Sequence, residues 1–207
     1  MTLFLDKYHM DIQQINAGDH LLLHCTNVID APNFSKIANS LAKIANSLAK
    51  NNINGATVDY STSNKFDYTV FHKVFSAIEK ILHDHLNKEV SLTGFCWHKN
   101  SRNVGWHTHQ KQFSTDPFNF SLPNRYVVVF YLHKEWDNVF GGSLKVGESE
   151  NNPIQSFKCD PNSCVIHSAS LSHGIEWLDV DFLNTNLNRI VIYSHWIEVE
   201  RNDTSSN

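Results

Sequence analysis

From residue 89 onward the apolar positions arrive in short β-rich bursts, at 90–97, 126–132, 143–146, 154–157, 164–167, 174–178 and 189–199. Pro123-Asn124, Gly141-Gly142, Asn152-Pro153 and Asp160-Pro161-Asn162 punctuate them as turns. No helical period intervenes, so the pattern predicts a sandwich, jelly roll or barrel and excludes a βαβ sheet. The first third reads differently. Ile37, Leu41, Ile44 and Leu48 recur every three or four positions and predict a helix over 35–50, with Asn33 as its cap and Asn51-Asn52 as its end. Within it the heptad Lys-Ile-Ala-Asn-Ser-Leu-Ala occurs twice, from Lys36 and from Lys43, too few repeats for a coiled coil. A second helix is predicted over 67–86, capped by Asp67 and lined by Phe71, Val74, Phe75, Ile78, Ile81 and Leu82. The apolar run 21–29 fits an early strand, and 202–207 is a polar tail. The chain is therefore expected to be mainly β with N-terminal helices.

The 207 residues suit a single domain, 1–207, with a helical support region over about 1–88 and a β core over about 89–200. Seventeen basic against 21 acidic residues give a net charge of -4, which argues against nucleic acid as a partner. No apolar run reaches the ~18–20 residues of a bilayer span, and no signal peptide is evident at Met1, so a cytoplasmic protein without a membrane partner is expected. Cys25, Cys96, Cys159 and Cys164 form no C-x-x-C pair and are expected to be structural thiols. Thirteen histidines against two methionines turn attention to imidazole chemistry.

Gly105-Trp106-His107-Thr108-His109 carries the chemistry most directly. On a strand, residues two apart share a face, so His107 and His109 would present two imidazoles to one point. Such a pair suits Fe, Zn, Cu or Ni and needs a third donor. His173, at a strand end in the same β region, is the candidate. Sixteen residues later Arg189 opens an apolar strand, where a guanidinium is expensive unless paired, by a salt bridge or by a bound carboxylate. His72, His83 and His85 on the second helix are read as surface or boundary residues.

Taken in order, the H-x-H, the segment Tyr131-Leu132-His133 with Trp136 downstream, Gly141-Gly142, His173 and Arg189 resemble the prolyl 4-hydroxylase-like branch of the Fe(II)/2-oxoglutarate dioxygenases. That resemblance covers roughly 92–196. It implies a double-stranded β-helix (the jelly-roll or cupin-like fold) with Fe(II), 2-oxoglutarate and O2 as its cofactors. It implies His107 and His173 as iron ligands, Arg189 and Tyr131 as grips for the far carboxylate of 2-oxoglutarate, and Trp97 beside that co-substrate. His109 stands where the family carries Asp or Glu, and it is assigned as the third ligand, with Asp116 the nearest carboxylate that could replace it. The interval from His173 to Arg189 is longer than usual, reading as an insertion over 179–188. His133 replaces a frequent asparagine and has no assigned role. The implied activity is hydroxylation of an amino acid or peptidyl residue with release of succinate and CO2, and no catalytic side chain is assigned beyond the metal centre. Trp97, Trp106, Phe113 and Phe118 are candidate pocket walls, while 111–124 and 179–188 are candidate substrate contacts.

Other readings stay open. A three-histidine cupin-type dioxygenase would use the same fold without 2-oxoglutarate, although Gln112 and Phe113 stand where its glutamate belongs. Three histidines also suit zinc, and a metal-free jelly-roll binding domain would leave the histidines incidental. The substrate, the oligomeric state and the role of the duplicated heptad are not assigned.

Overall fold

The computed structural model describes residues 9–49, 57–58, 69–99, 105–108, 124–179 and 187–199. Among these residues ten strands and two α-helices follow in the order β1 (Asp11–Gln14), β2 (Leu22–Thr26), α1 (Ala31–Ala49), β3 (Thr57–Val58), α2 (Thr69–Leu86), β4 (Val90–Lys99), β5 (Arg125–Tyr131), β6 (Leu144–Ser149), β7 (Asn152–Phe157), β8 (Ser163–Ser168), β9 (Ser172–Ile175) and β10 (Ile190–Glu198). A seven-stranded sheet runs β1-β2-β8-β5-β10-β4-β3 and faces a three-stranded sheet β7-β6-β9. All described strand pairs are antiparallel. The fold is the jelly-roll double-stranded β-helix.

Strand β5 shows why this sequence makes two cores. Arg-Tyr-Val-Val-Val-Phe-Tyr is buried at every position, so its alternation is hidden in the sequence. Tyr126, Val128, Phe130 and Leu132 face an outer core shared with the helices. Val127, Val129 and Tyr131 face the interior between the sheets. The helices cover the outer face through Ile37 and Leu41 of α1 and through Phe71, Val74, Ile78, Ile81 and Leu82 of α2. Burying each such side chain contributes about 1.5–3 kcal/mol before ordering costs.

Helix α1 begins four residues before the expected start. Its cap is Asp30, whose Oδ1 accepts from the Asn33 backbone amide at 3.0 Å, and hydrogen bonds from the Asn33 side chain and then its backbone amide hold the Asp30 carboxyl below its ordinary pKa. The side chains of Ile44 and Leu48, the proposed Asp67 cap, Asn51-Asn52 and the 202–207 tail lie outside the described residues. Helix α2 ends at Asn87, which takes a left-handed φ of 52°.

The N-terminal third also contributes strands to the large sheet. Strand β2 pairs with β8 inside the large sheet, Cys25 opposite Cys164, and β1 and β3 were not expected at all. Strand β1 escaped because Asp-Ile-Gln-Gln carries one apolar residue and is mostly exposed. Its pairing with β2 makes it a strand. All four cysteines are free, and no helix among the described residues is long and apolar enough to cross a membrane.

Candidate active site between the two sheets

The segment 105–108 adds a short rung to the small sheet beside β9. His107 and His173 form an isolated antiparallel bridge, their backbones exchanging two hydrogen bonds of 2.9 Å each. The imidazole centroids lie 4.4 Å apart. Gly174 makes this approach possible, because a Cβ there would stand 3.1–3.3 Å from Trp106. Nδ1 of His107 lies 2.6 Å from the Gly105 carbonyl oxygen. A carbonyl only accepts, so Nδ1 carries the proton, a tautomer assigned from this contact that leaves Nε2 as a lone pair for a metal.

Arg189 enters from the start of β10 and is wholly buried. Its Nε donates to Cys159 Sγ at 3.3 Å, and its guanidinium carbon lies 5.6 Å from the centre of the Tyr131 ring. The Cys159 thiol in turn donates to the Gly142 carbonyl at 2.7 Å. Tyr193, four residues along β10, brings a second phenol to the same guanidinium. The Oη atoms of Tyr131 and Tyr193 are buried with no partner in hydrogen-bonding geometry. Burial pushes both phenols and the Cys159 thiol up from their ordinary values, well up for Tyr131, so all three keep their protons at neutral pH. Burial disfavours the charge on Arg189, yet its pKa stays above the ordinary value, so the guanidinium is a cation at neutral pH. The result is a cation flanked by two unspent O–H donors, which is chemistry suited to a carboxylate.

The preceding loop explains why Arg189 can sit there. Gly142 has φ +84°, and a Cβ on it would lie 2.6 Å from Leu178 Cδ2 and 2.9 Å from Arg189 Nε. Trp136 Nε1 donates to the Gly141 carbonyl at 3.1 Å, and Asn138 Oδ1 accepts from the Cys159 amide at 3.1 Å. His133 acquires a role here. Its Nε2 donates to the Cys159 carbonyl at 2.7 Å, tying the end of β5 to the Cys159 loop. Burial lowers its pKa to about 4, so the ring is neutral.

Trp97 does not join this cluster. It pairs with Ile192 across β4 and β10, so it faces the outer core beside the helices. The parity of the strand sends Cys96 and His98 inward instead. His98 lies 3.3 Å from Cys96 Sγ through Nε2, and its ring meets Tyr193 edge-on at 5.0 Å. His109, Asp116, Phe113 and Phe118 lie outside the described residues, as do 111–123 and 180–186. Among the described residues, no group of three or more His, Cys, Asp or Glu side chains is arranged to hold a metal ion. His107 and His173 supply two imidazoles of the type Fe(II) accepts, and the donor set is compatible with that ion.

A further buried imidazole, His167 on β8, had no place in the sequence reading. It pairs with Val127 of β5, which puts it on the interior face, and its ring lies 4.7 Å from that of His173. Nδ1 is 2.9 Å from the Ser168 carbonyl oxygen and carries the proton, while Nε2 is buried without a hydrogen-bond partner. Burial lowers its pKa to about 4. The parity of β8, with Val165 and His167 facing in, was the available signal.

No protein-family model matches the chain, and no curated protein matches its sequence. Its fold does match solved structures. A prolyl-4-hydroxylase from Pseudomonas putida superposes with a TM-score of 0.55 at 9% identity, covering 86% of this chain and 92% of that one. A viral collagen prolyl hydroxylase from Paramecium Bursaria Chlorella virus-1, in its 2-oxoglutarate complex, gives 0.54 at 10% identity over 86% and 96%. A prolyl hydroxylase from Trichoplax adhaerens, in complex with a hypoxia inducible factor peptide fragment, gives 0.55 at 14% identity over 90% and 87%. The chain has the jelly-roll fold of the 2-oxoglutarate–Fe(II) oxygenases.

Proposed function

We propose that the protein is an Fe(II)- and 2-oxoglutarate-dependent dioxygenase that hydroxylates an amino acid or a peptidyl residue. One observation carries the reading: a fully buried Arg189 faces Tyr131 and Tyr193, whose buried hydroxyls have no hydrogen-bond partner, and both rings belong to the interior core to which β9, the strand of His173, contributes Ile175. Peptide and 2-oxoglutarate complexes among the structural neighbours support the substrate and co-substrate classes.

In this reading His107 and His173 hold the iron, with His109 the third donor. Arg189 grips the distal carboxylate of 2-oxoglutarate, and Tyr131 and Tyr193 donate their hydroxyls to the same group. Val127, Val129, Val165 and Val191 line the interior and exclude water, which strengthens each of these contacts. When bound, Fe(II) with 2-oxoglutarate and O2 supplies the oxidant for C–H hydroxylation and yields succinate and CO2. The protein's own part is to position and shield.

Succinate release tests this. Purified protein supplied with Fe(II), 2-oxoglutarate and air should release succinate slowly even without primary substrate, and Arg189→Ala should sharply reduce that release at sub-saturating 2-oxoglutarate. Equal release from wild type and Arg189→Ala would refute the assignment of Arg189, and no release from either would count against 2-oxoglutarate as co-substrate.

A further inference from the structure

Among the described residues, His167 is a fully buried interior imidazole whose unprotonated nitrogen has no hydrogen-bond partner. Its Nδ1–H is committed to the Ser168 carbonyl at 2.9 Å, so Nε2 is a lone pair, and it is buried without a hydrogen-bond partner. A buried acceptor left unmatched costs on the order of 1–3 kcal/mol, so a donor is expected for it. The neighbourhood limits the choice. Val127 and Leu22 flank it on the adjacent strands, and both are apolar. The closest ring is that of His173, 4.7 Å away with the planes at 58°. His107 and His195 are the other titratable groups within electrostatic reach. Two imidazoles joined by an N–H···N hydrogen bond have centroids about 5 Å apart, so a small swing of either ring makes the contact.

The geometry points to His167 as the outer acceptor that orients His173: with the Nε2 of His173 turned to a metal, its Nδ1–H is received by His167 Nε2. This rests on the metal reading above and adds a positioning residue to it. A metal-bound histidine ordinarily donates its second nitrogen to a carboxylate, a carbonyl or water, which fixes ring orientation and raises ligand basicity. A neutral imidazole lone pair on β8 performs the same task here. It also explains why the interior face of β8, beyond Val165, carries a histidine opposite His173.

Co(II) titration of the whole chain, followed by the visible d–d bands, tests the assignment. His167→Gln keeps an acceptor carbonyl, and His167→Met has similar length and volume without one. Circular dichroism confirms that each folds, with His167→Phe replacing the methionine variant if it does not. The expected result is Co(II) binding weakened about 10–100-fold in His167→Met, a shifted d–d spectrum, and substantial recovery of both in His167→Gln. Wild-type affinity in His167→Met would reduce His167 to a space-filler. A loss as complete as that of His107→Ala would make it a ligand instead, and the outer role would be wrong. Failure of the metal reading looks different: wild-type protein would bind no Co(II), or His107→Ala would bind as well as wild type, and the inference would fall with it.

Discussion

Replacing Gly142 by alanine probes the Arg189 pocket without replacing a charged or polar side chain. Gly142 sits at φ +84°, where an L residue is strained by about 1–2 kcal/mol. The added methyl would also stand 2.6 Å from Leu178 Cδ2, 2.9 Å from Arg189 Nε and 3.1 Å from Arg189 Cδ. Neither neighbour moves cheaply, since Leu178 is 4% exposed and Arg189 is 0% exposed, and Arg189 is boxed in by Cys159, Tyr131 and Tyr193. Overpacking of this kind costs roughly 1–3 kcal/mol. Gly142→Ala is therefore expected to lose about 2–5 kcal/mol of unfolding free energy, a large part of the 5–15 kcal/mol typical of a domain. Displacing the guanidinium should also weaken 2-oxoglutarate binding at least tenfold. Guanidinium chloride unfolding reads the first effect, and titration of the Fe(II)-loaded protein with 2-oxoglutarate reads the second. Gly94→Ala is the control, because a Cβ there meets nothing within 4 Å and its φ is ordinary. A Gly142→Ala protein within 0.5 kcal/mol of wild type, and with unchanged 2-oxoglutarate affinity, would refute the packing argument.

Other expectations follow from the same geometry. Because Trp97 faces the outer core, Trp97→Ala should cost about 3–5 kcal/mol in urea unfolding, while Trp97→Phe should leave 2-oxoglutarate affinity unchanged; a selective loss of that affinity would restore Trp97 to the site. Tyr193→Phe removes one donor to the carboxylate and should weaken 2-oxoglutarate roughly tenfold or more, measured by calorimetry against a stability control. His133 is neutral in the fold with its pKa lowered to about 4, so the unfolded chain takes up the proton first as the pH falls. Its contribution is complete above the ordinary histidine value of about 6.5 and is lost as the pH falls to about 4, on the order of 3 kcal/mol in all. Urea midpoints at pH 8 and pH 5 should therefore differ less in His133→Asn than in wild type, and an unchanged difference would remove His133 from the account.

Much of the β core was legible because its strands are short, apolar and separated by strong turn residues. β5, β8 and β10 lie within a residue or two of their expected positions. Strands β1 and β3 were not, since neither carries a periodic apolar signal and both exist through pairing with a neighbour. The site was partly legible. Arg189 and Tyr131 were legible because a charged residue opening an apolar strand and a tyrosine ending the apolar run 127–130 are conspicuous. Trp97 misled because spacing from His107 ignores strand parity. Tyr193, Cys159 and His167 were missed although Tyr193 shares the parity of Arg189, because which face is interior depends on the other sheet. His133 joins segments far apart in sequence, and no local pattern announces that.

The central claim is that Arg189 and the histidine pair hold 2-oxoglutarate on Fe(II) in one interior site. Anaerobic protein loaded with Fe(II) and titrated with 2-oxoglutarate should develop the visible charge-transfer band of the chelate. The band should be lost in His107→Ala and shifted to at least tenfold higher 2-oxoglutarate concentration in Arg189→Ala. Iron bound through His107 with no band at any 2-oxoglutarate concentration would contradict the claim.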